Sequence, residues 1–219
     1  MSAPEKKIVC EPQSSVWLPD SDLSPQDREF AQRIRAFAHD KLLPHARAID
    51  EQRTFRRETV TELGAAGVLG GPLPREAGGG GWTAMQYAIA HEELGAVCGN
   101  ARGFCAVQTG LVATTLHRYS NPAQRDRWLS ALMSGKAIGC FALTEPDAGS
   151  DAASLRTHAQ LRGDRYSLSG TKHWITNGGV ADVAIVFATV DPALGKNGIT
   201  AFLVETNAHG LKRAPMPGI

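Results

Sequence analysis

The hydrophobic period of this chain changes once, near residue 138, and that change constrains the fold more than any other feature. Before it, apolar residues recur every three or four positions; after it they alternate or run together in short stretches bounded by turn residues. A helical period cannot bury its apolar face as a strand, so an all-α helical region must precede a β region. Ser24-Pro25 supplies an N-cap and first-turn proline, and Phe30, Ile34, Phe37, Ala38 and Leu42 follow at helical spacing until Pro44 disturbs the pattern. Arg57 to Ala66 predicts a shorter helix stopped by Gly67. Gly70 to Gly81 holds too many glycines and prolines for a regular element. Thr83-Ala84-Met85-Gln86 has the form of a capping box, opening a helix to Gly95. Ala101 to Arg118 places Phe104, Val107, Leu111 and Thr115 on one side, and Asn121-Pro122-Ala123-Gln124 opens a fifth helical segment that ends at Gly135.

Beyond Gly139 the segments are strand-like. Ile138 to Leu143 reads as a buried strand, Leu155 to Leu161 and Tyr166 to Leu168 alternate, Ala184 to Ala188 is continuously apolar, and Ile199 to Glu205 closes the series. Gly163-Asp164 and Asn177-Gly178-Gly179 supply turns. The expected organisation is an extended arm over 1–22, a helical domain over 23–137 and an incomplete β domain over 138–219. The fold class is α+β multidomain.

Charge excludes several functions. Among 219 residues, 23 Lys and Arg balance 22 Asp and Glu, so no net field draws nucleic acid or an anionic membrane. No apolar run approaches the roughly 18 residues of a membrane span, and the polar opening is not a signal sequence, so a cytoplasmic protein is expected. Cys10, Cys98, Cys105 and Cys140 form no C-x-x-C pair and read as buried free thiols. His91-Glu92-Glu93-Leu94 lacks the second His of a zinc-binding helix, and no metal site is expected.

Two stretches do not fit a purely structural role as readily. Thr144-Glu145-Pro146-Asp147-Ala148-Gly149-Ser150-Asp151 sets hydroxyls, carboxylates and a glycine directly after a buried strand. Turn and N-cap chemistry would account for it alone. In Gly170-Thr171-Lys172-His173-Trp174-Ile175-Thr176-Asn177-Gly178-Gly179, an indole and a hydroxyl stand two apart, on one face if the segment is a strand end. Such a pair suits a planar heteroaromatic ring with one edge nitrogen to satisfy, as in a flavin, although core packing serves Trp174 equally well.

The helical half, the glycine-rich loop, C-F-A-L-T-E-P-D-A-G-S-D and then G-T-K-H-W-I-T-N-G, in that order, resemble the acyl-CoA dehydrogenase family of flavoenzymes from about Leu23 to the last residue. The resemblance implies that the β region is part of an antiparallel β-barrel domain and that FAD is the cofactor. It places Phe141, Leu143 and Thr144 along the flavin ring, with the Thr144 hydroxyl as a donor. Gly149 and Ser150 lie near the pyrophosphate and the substrate thioester, Trp174 and Ile175 flank the ring, and Thr176 reaches N5. Phe141 stands where many family members carry Tyr. The implied substrate is an acyl-CoA or acyl-carrier thioester, the implied electron acceptor an electron-transfer flavoprotein, and the completed assembly a homo-oligomer.

In the family the catalytic base belongs to a second helical domain that follows the β domain, and this sequence stops at Ile219. The expectation is therefore a truncated chain with no catalytic residue of its own; the alternatives are a non-catalytic flavin- or thioester-binding remnant that pairs with a full-length partner, and a family member that acts on carrier-protein thioesters or as a flavin oxidase. Glu145 and Asp151 are read as turn and cap residues, and Glu92 and Glu93 as structural.

Overall fold

The computed structural model describes residues 22–215. The predicted arm lies almost wholly outside them. Helix α1 (Pro25–Phe37) starts as its sequence dictates: the Ser24 side chain accepts a hydrogen bond from the Asp27 amide at 3.1 Å, and Pro25 occupies the first turn. Pro44 does not end the rod. A π-helical turn, Ala38–Leu42, intervenes and α2 (Leu43–Gln52) continues. The wider turn just ahead of Pro44 accommodates a residue with no amide hydrogen, so the expected break becomes a local irregularity.

Helix α3 (Arg57–Ala65) leads to the glycine-rich loop, which contains one 3₁₀ turn at Arg75–Ala77. The loop is folded back on itself: Gly80 donates to the Gly70 carbonyl, Gly81 to Leu73 and Trp82 to Gly71, at 2.8–3.0 Å. Trp82 then packs edge-on against Phe30 of α1, with centroids 4.8 Å apart. The Thr83–Gln86 capping box is present, and α4 (Ala84–Val97) runs two residues past the predicted stop. Bidentate bonds from Arg35 of α1 to Glu93 of α4, at 2.7 and 2.9 Å, tie the two helices together.

The segment expected as one helix from Ala101 is α5 (Gly99–Cys105), a π-helical stretch at Ala106–Ala113 and α6 (Thr114–Tyr119). Its buried side is not the predicted one. Phe104 is buried, but Gln108, Thr109, Val112 and Leu116 follow it inward while Leu111 is exposed. The extra residue per π turn rotates the downstream face, and two polar residues enter the core because they find partners there. Helix α7 (Pro122–Met133) opens on the Asn121–Gln124 capping box.

The strands are β1 (Gly139–Ala142), β2 (His158–Arg162), β3 (Arg165–Ser169), β4 (Val183–Thr189) and β5 (Ile199–Glu205). Central β4 pairs antiparallel with β5 on one edge; on the other it runs parallel to β1 and meets β2 at Thr189. Strands β2 and β3 form a hairpin whose two loop residues begin with Gly163 at φ 64°, the glycine-first requirement of a type II′ turn. The sheet is therefore mixed and open, where the resemblance implied purely antiparallel pairing. The connection from β1 to β4 is long enough to return in parallel, which no hairpin can do. Strands β1 and β4 lie against the helices: Ile138, Cys140 and Ala184 join the core of α1 and α4, while Val183 and Ile185 join that of Val112, Leu129 and Leu132.

Candidate functional site

At the carboxyl end of β1 the chain leaves the sheet and enters the Thr144–Asp151 loop. Gln108 fixes the other end of that strand: its amide oxygen accepts from the Gly139 amide at 2.8 Å, and its nitrogen donates to the Ala137 and Leu132 carbonyls at 2.8 and 3.0 Å. Phe141 is half-buried and packs against Phe187 of β4 at 4.9 Å, so part of its ring belongs to the core. Leu143 and Thr144 are half-buried, while Gly149 and Ser150 are exposed. A Cβ at Gly149 would meet nothing within 4 Å, so no contact inside the chain requires glycine there.

The second stretch is not a strand, which corrects the geometry expected for it. Residues 170–176 are irregular, and Trp174 adopts a left-handed backbone at φ 57°. Trp174 is 62% exposed and Thr176 is exposed, whereas Ile175 between them is half-buried against the helical core. The inward Ile175 anchors the segment and leaves its neighbours outside. An aromatic residue held in the left-handed region and left in solvent is doubly unfavourable, in strain and in exposed apolar area. A planar ring lying against the indole would cover that area. These residues fit a flavin.

The two stretches meet. The His173 amide donates to the Thr144 carbonyl at 2.8 Å, which holds the residue before Trp174 against the chain two residues beyond the end of β1. Lys172 Nζ donates to the Leu143 carbonyl at 2.9 Å and to Glu145 Oε1 at 2.7 Å. The carboxylate also accepts from the Arg156 and Thr157 amides at 2.6 and 2.9 Å. The Glu145 carboxylate is thus buried and accepts three hydrogen bonds, more than the turn residue expected. Burial would raise its pKa, but the bonds from Lys172 and the two amides outweigh burial and hold the carboxyl at about 2. Burial lowers the pKa of Lys172, against the bond and charge of Glu145.

Sequence reasoning missed Lys172, the partner role of Glu145 and Gln108. The only signal for the pair was one charge of each sign, each inside a chemically unusual motif. Three of the four thiols fit the buried reading: Cys98, Cys105 and Cys140 are free and buried, burial pushing Cys105 to about 12 and Cys140 to about 11, while Cys10 lies outside the described residues. Among the described residues no group of His, Cys, Asp or Glu could hold a metal ion, and no helix is long and apolar enough to cross a membrane.

Residues 24–136 match the family model of the acyl-CoA dehydrogenase N-terminal domain, and residues 140–218 match the model of the middle domain. The chain belongs to the acyl-CoA dehydrogenase family. It is 38% identical over 191 residues to the short-chain specific acyl-CoA dehydrogenase of Clostridium acetobutylicum, which covers 87% of this chain and 50% of that protein. Among solved structures, a glutaryl-CoA dehydrogenase from Mycobacterium smegmatis in complex with FADH2 superposes with a TM-score of 0.81 at 41% identity, covering 86% of this chain and 47% of that one. The prolyl acyl carrier protein oxidase AnaB gives a TM-score of 0.77 at 34% identity, over 86% of this chain and 50% of its own. This acyl-CoA dehydrogenase family member spans about half the length of the curated relatives it matches.

Proposed function

We propose that the chain is the flavin-facing part of an FAD-dependent acyl-CoA dehydrogenase, built as a helical domain over 23–137 and a β domain over 138–219. The observation that carries the reading is the hydrogen bond from His173 to Thr144, which joins the two motifs at the end of β1. FAD bound there supplies the hydride acceptor for α,β-desaturation of an acyl thioester. The chain's own residues bind and orient. Ile175 holds its segment to the helical core; with FAD bound, Trp174 would cover one side of the ring, Thr176 would present a hydroxyl to its N5 edge, Phe141 and Leu143 would pack alongside, and the Thr144 hydroxyl would donate to the polar edge. Gly149 permits close backbone approach to the pyrophosphate, and Ser150 sits beside the thioester.

Removing a weakly acidic α proton needs a base held within about 3 Å and a polarised carbonyl. No carboxylate of this chain is assigned that role. In the family the base lies in a second helical domain, and the chain is read as one component of a homo-oligomer. Electrons leave to an electron-transfer flavoprotein in a cytoplasmic setting. A second reading has support in the likeness to the prolyl acyl carrier protein oxidase: the same slot serving a thioester on a carrier protein. Titrating the chain with FAD and following flavin fluorescence tests the cofactor assignment. Saturable quenching is expected, and emission unchanged from free FAD counts against it.

A further inference from the structure

Three segments converge on one buried ion pair. Lys172 and Glu145 side chains retain 11% and 7% of their exposure, and their contact at 2.7 Å joins the second motif to the first. Lys172 also holds the Leu143 carbonyl, the last link before Thr144. Glu145 holds the Arg156 and Thr157 amides, so the approach to β2 is fixed to the same point. One residue beyond Lys172, the His173 amide bonds to the Thr144 carbonyl. A buried ion pair gains little over apolar packing of equal volume, so its stability contribution alone does not account for it. Its value lies in geometry, because each charge must keep its partner and its extra donors or acceptors at bonding distance.

We propose that Glu145 and Lys172 are positioning residues that fix the separation between Leu143–Thr144 and Trp174–Thr176, so that the two motifs are held in one arrangement before any ligand binds. The inference rests on the flavin reading for the identity of the ligand, but not for the existence of the clasp. Lys172 sets the separation through two bonds from one nitrogen, one to each side of Thr144. Glu145 keeps that nitrogen from turning to solvent and locks the 156–157 segment behind it. Neither side chain is required to touch the ligand.

The test uses the 219-residue chain and the variants Lys172→Met, Glu145→Gln and Lys172→Arg. Without ligand, hydrogen exchange of the peptides covering 143–147, 156–157 and 172–177 is expected to rise about tenfold or more in Lys172→Met and Glu145→Gln, with α4 and α7 unchanged. Exchange that stays at the wild-type rate in those peptides, or rises equally in α4 and α7, overturns the proposal. Lys172→Arg keeps the charge but replaces a point donor by a wider planar one. Its thermal midpoint is expected to match wild type while FAD affinity falls by about threefold or more. A pair serving stability alone would leave that affinity unchanged, and this result also overturns the proposal. If wild type itself binds no FAD while the exchange changes stay confined to the three segments, the clasp stands and the flavin reading falls.

Discussion

At the scale of single residues, Trp174 shows how far a sequence can be read. The residue type and its distance from Thr176 pointed to a ring, and both side chains do reach the surface. The reason offered, a strand end, was wrong: a left-handed backbone at Trp174 and an inward Ile175 expose its neighbours. Periodicity cannot signal a single positive φ in a bulky residue, because propensity disfavours it and only tertiary contacts enforce it. Trp174→Ala and Thr176→Ala are each expected to weaken FAD binding by about 1 to 3 kcal/mol, read as a 5- to 150-fold change in affinity by fluorescence titration. Glu145 gives a second expectation, of opposite character, since it concerns the chain without ligand. Its pKa falls from 4.5 to about 2 on folding, which corresponds to on the order of 3 kcal/mol, less the opposing cost at Lys172. The folded value lies below the unfolded one, so this stabilisation is complete above pH 4.5 and lost as pH falls towards 2. Thermal midpoints measured from pH 6 to pH 2 are expected to drop steeply in wild type and less steeply in Glu145→Gln.

Among the elements, those whose start and period are both written locally were legible. The two capping boxes need only residues three apart, and both formed where Thr83 and Asn121 stand. The five helical segments and five strands follow from the same local rules. What failed was the inward face of the 101–118 segment, where the π-helical stretch and two buried polar residues are set by contacts with distant parts of the chain. Gln108 is the clearest case. Glutamine is ordinarily a surface residue, yet this one is wholly buried and joins Leu132, Ala137 and Gly139 around the start of β1. Replacing it by Leu leaves the Ala137 carbonyl and the Gly139 amide without partners and the Leu132 carbonyl with only the backbone amides that follow it. Gln108→Leu is expected to destabilise by about 3 kcal/mol or more, measured by denaturant unfolding. If FAD binding is then assayed well below the lowered melting temperature, a further loss of affinity is expected, because the strand leading to Thr144 has lost its anchor.

For the whole molecule, the order of a helical half before a sheet was readable from the change in period, whereas the mixed pairing was not. Register between distant strands is decided by packing against the helices rather than by any local signal. The outer edges of β3 and β5 have no partner among the described residues, and Leu161 and Tyr166 on the β2–β3 hairpin are 58% and 50% exposed. Such edges pair with other chains. Concentration-dependent self-association of the 219-residue chain is expected in sedimentation velocity, and a monodisperse monomer across the concentration range would count against it.

Activity is the last expectation at this scale, and it follows from where the carboxylates are spent. Glu93 is bound bidentately by Arg35 and Glu145 by Lys172, while Asp147 pairs with Arg156 and Asp151 accepts from Ser154. A carboxylate already engaged by a cation or a donor is poorly placed to accept the weakly acidic α proton of a thioester. General-base catalysis is typically worth about 100- to 10,000-fold, and loss of substrate positioning compounds its absence. The 219-residue chain supplied with FAD, a range of acyl-CoA thioesters and an artificial electron acceptor is therefore expected to give no acceptor bleaching above the FAD-only control. Turnover near that of intact flavin dehydrogenases would reverse the conclusion and direct attention to Glu92, whose Oε1 is buried without a partner among the described residues. In that event Glu92→Gln would abolish the activity if Glu92 is the base and leave it intact if it is not.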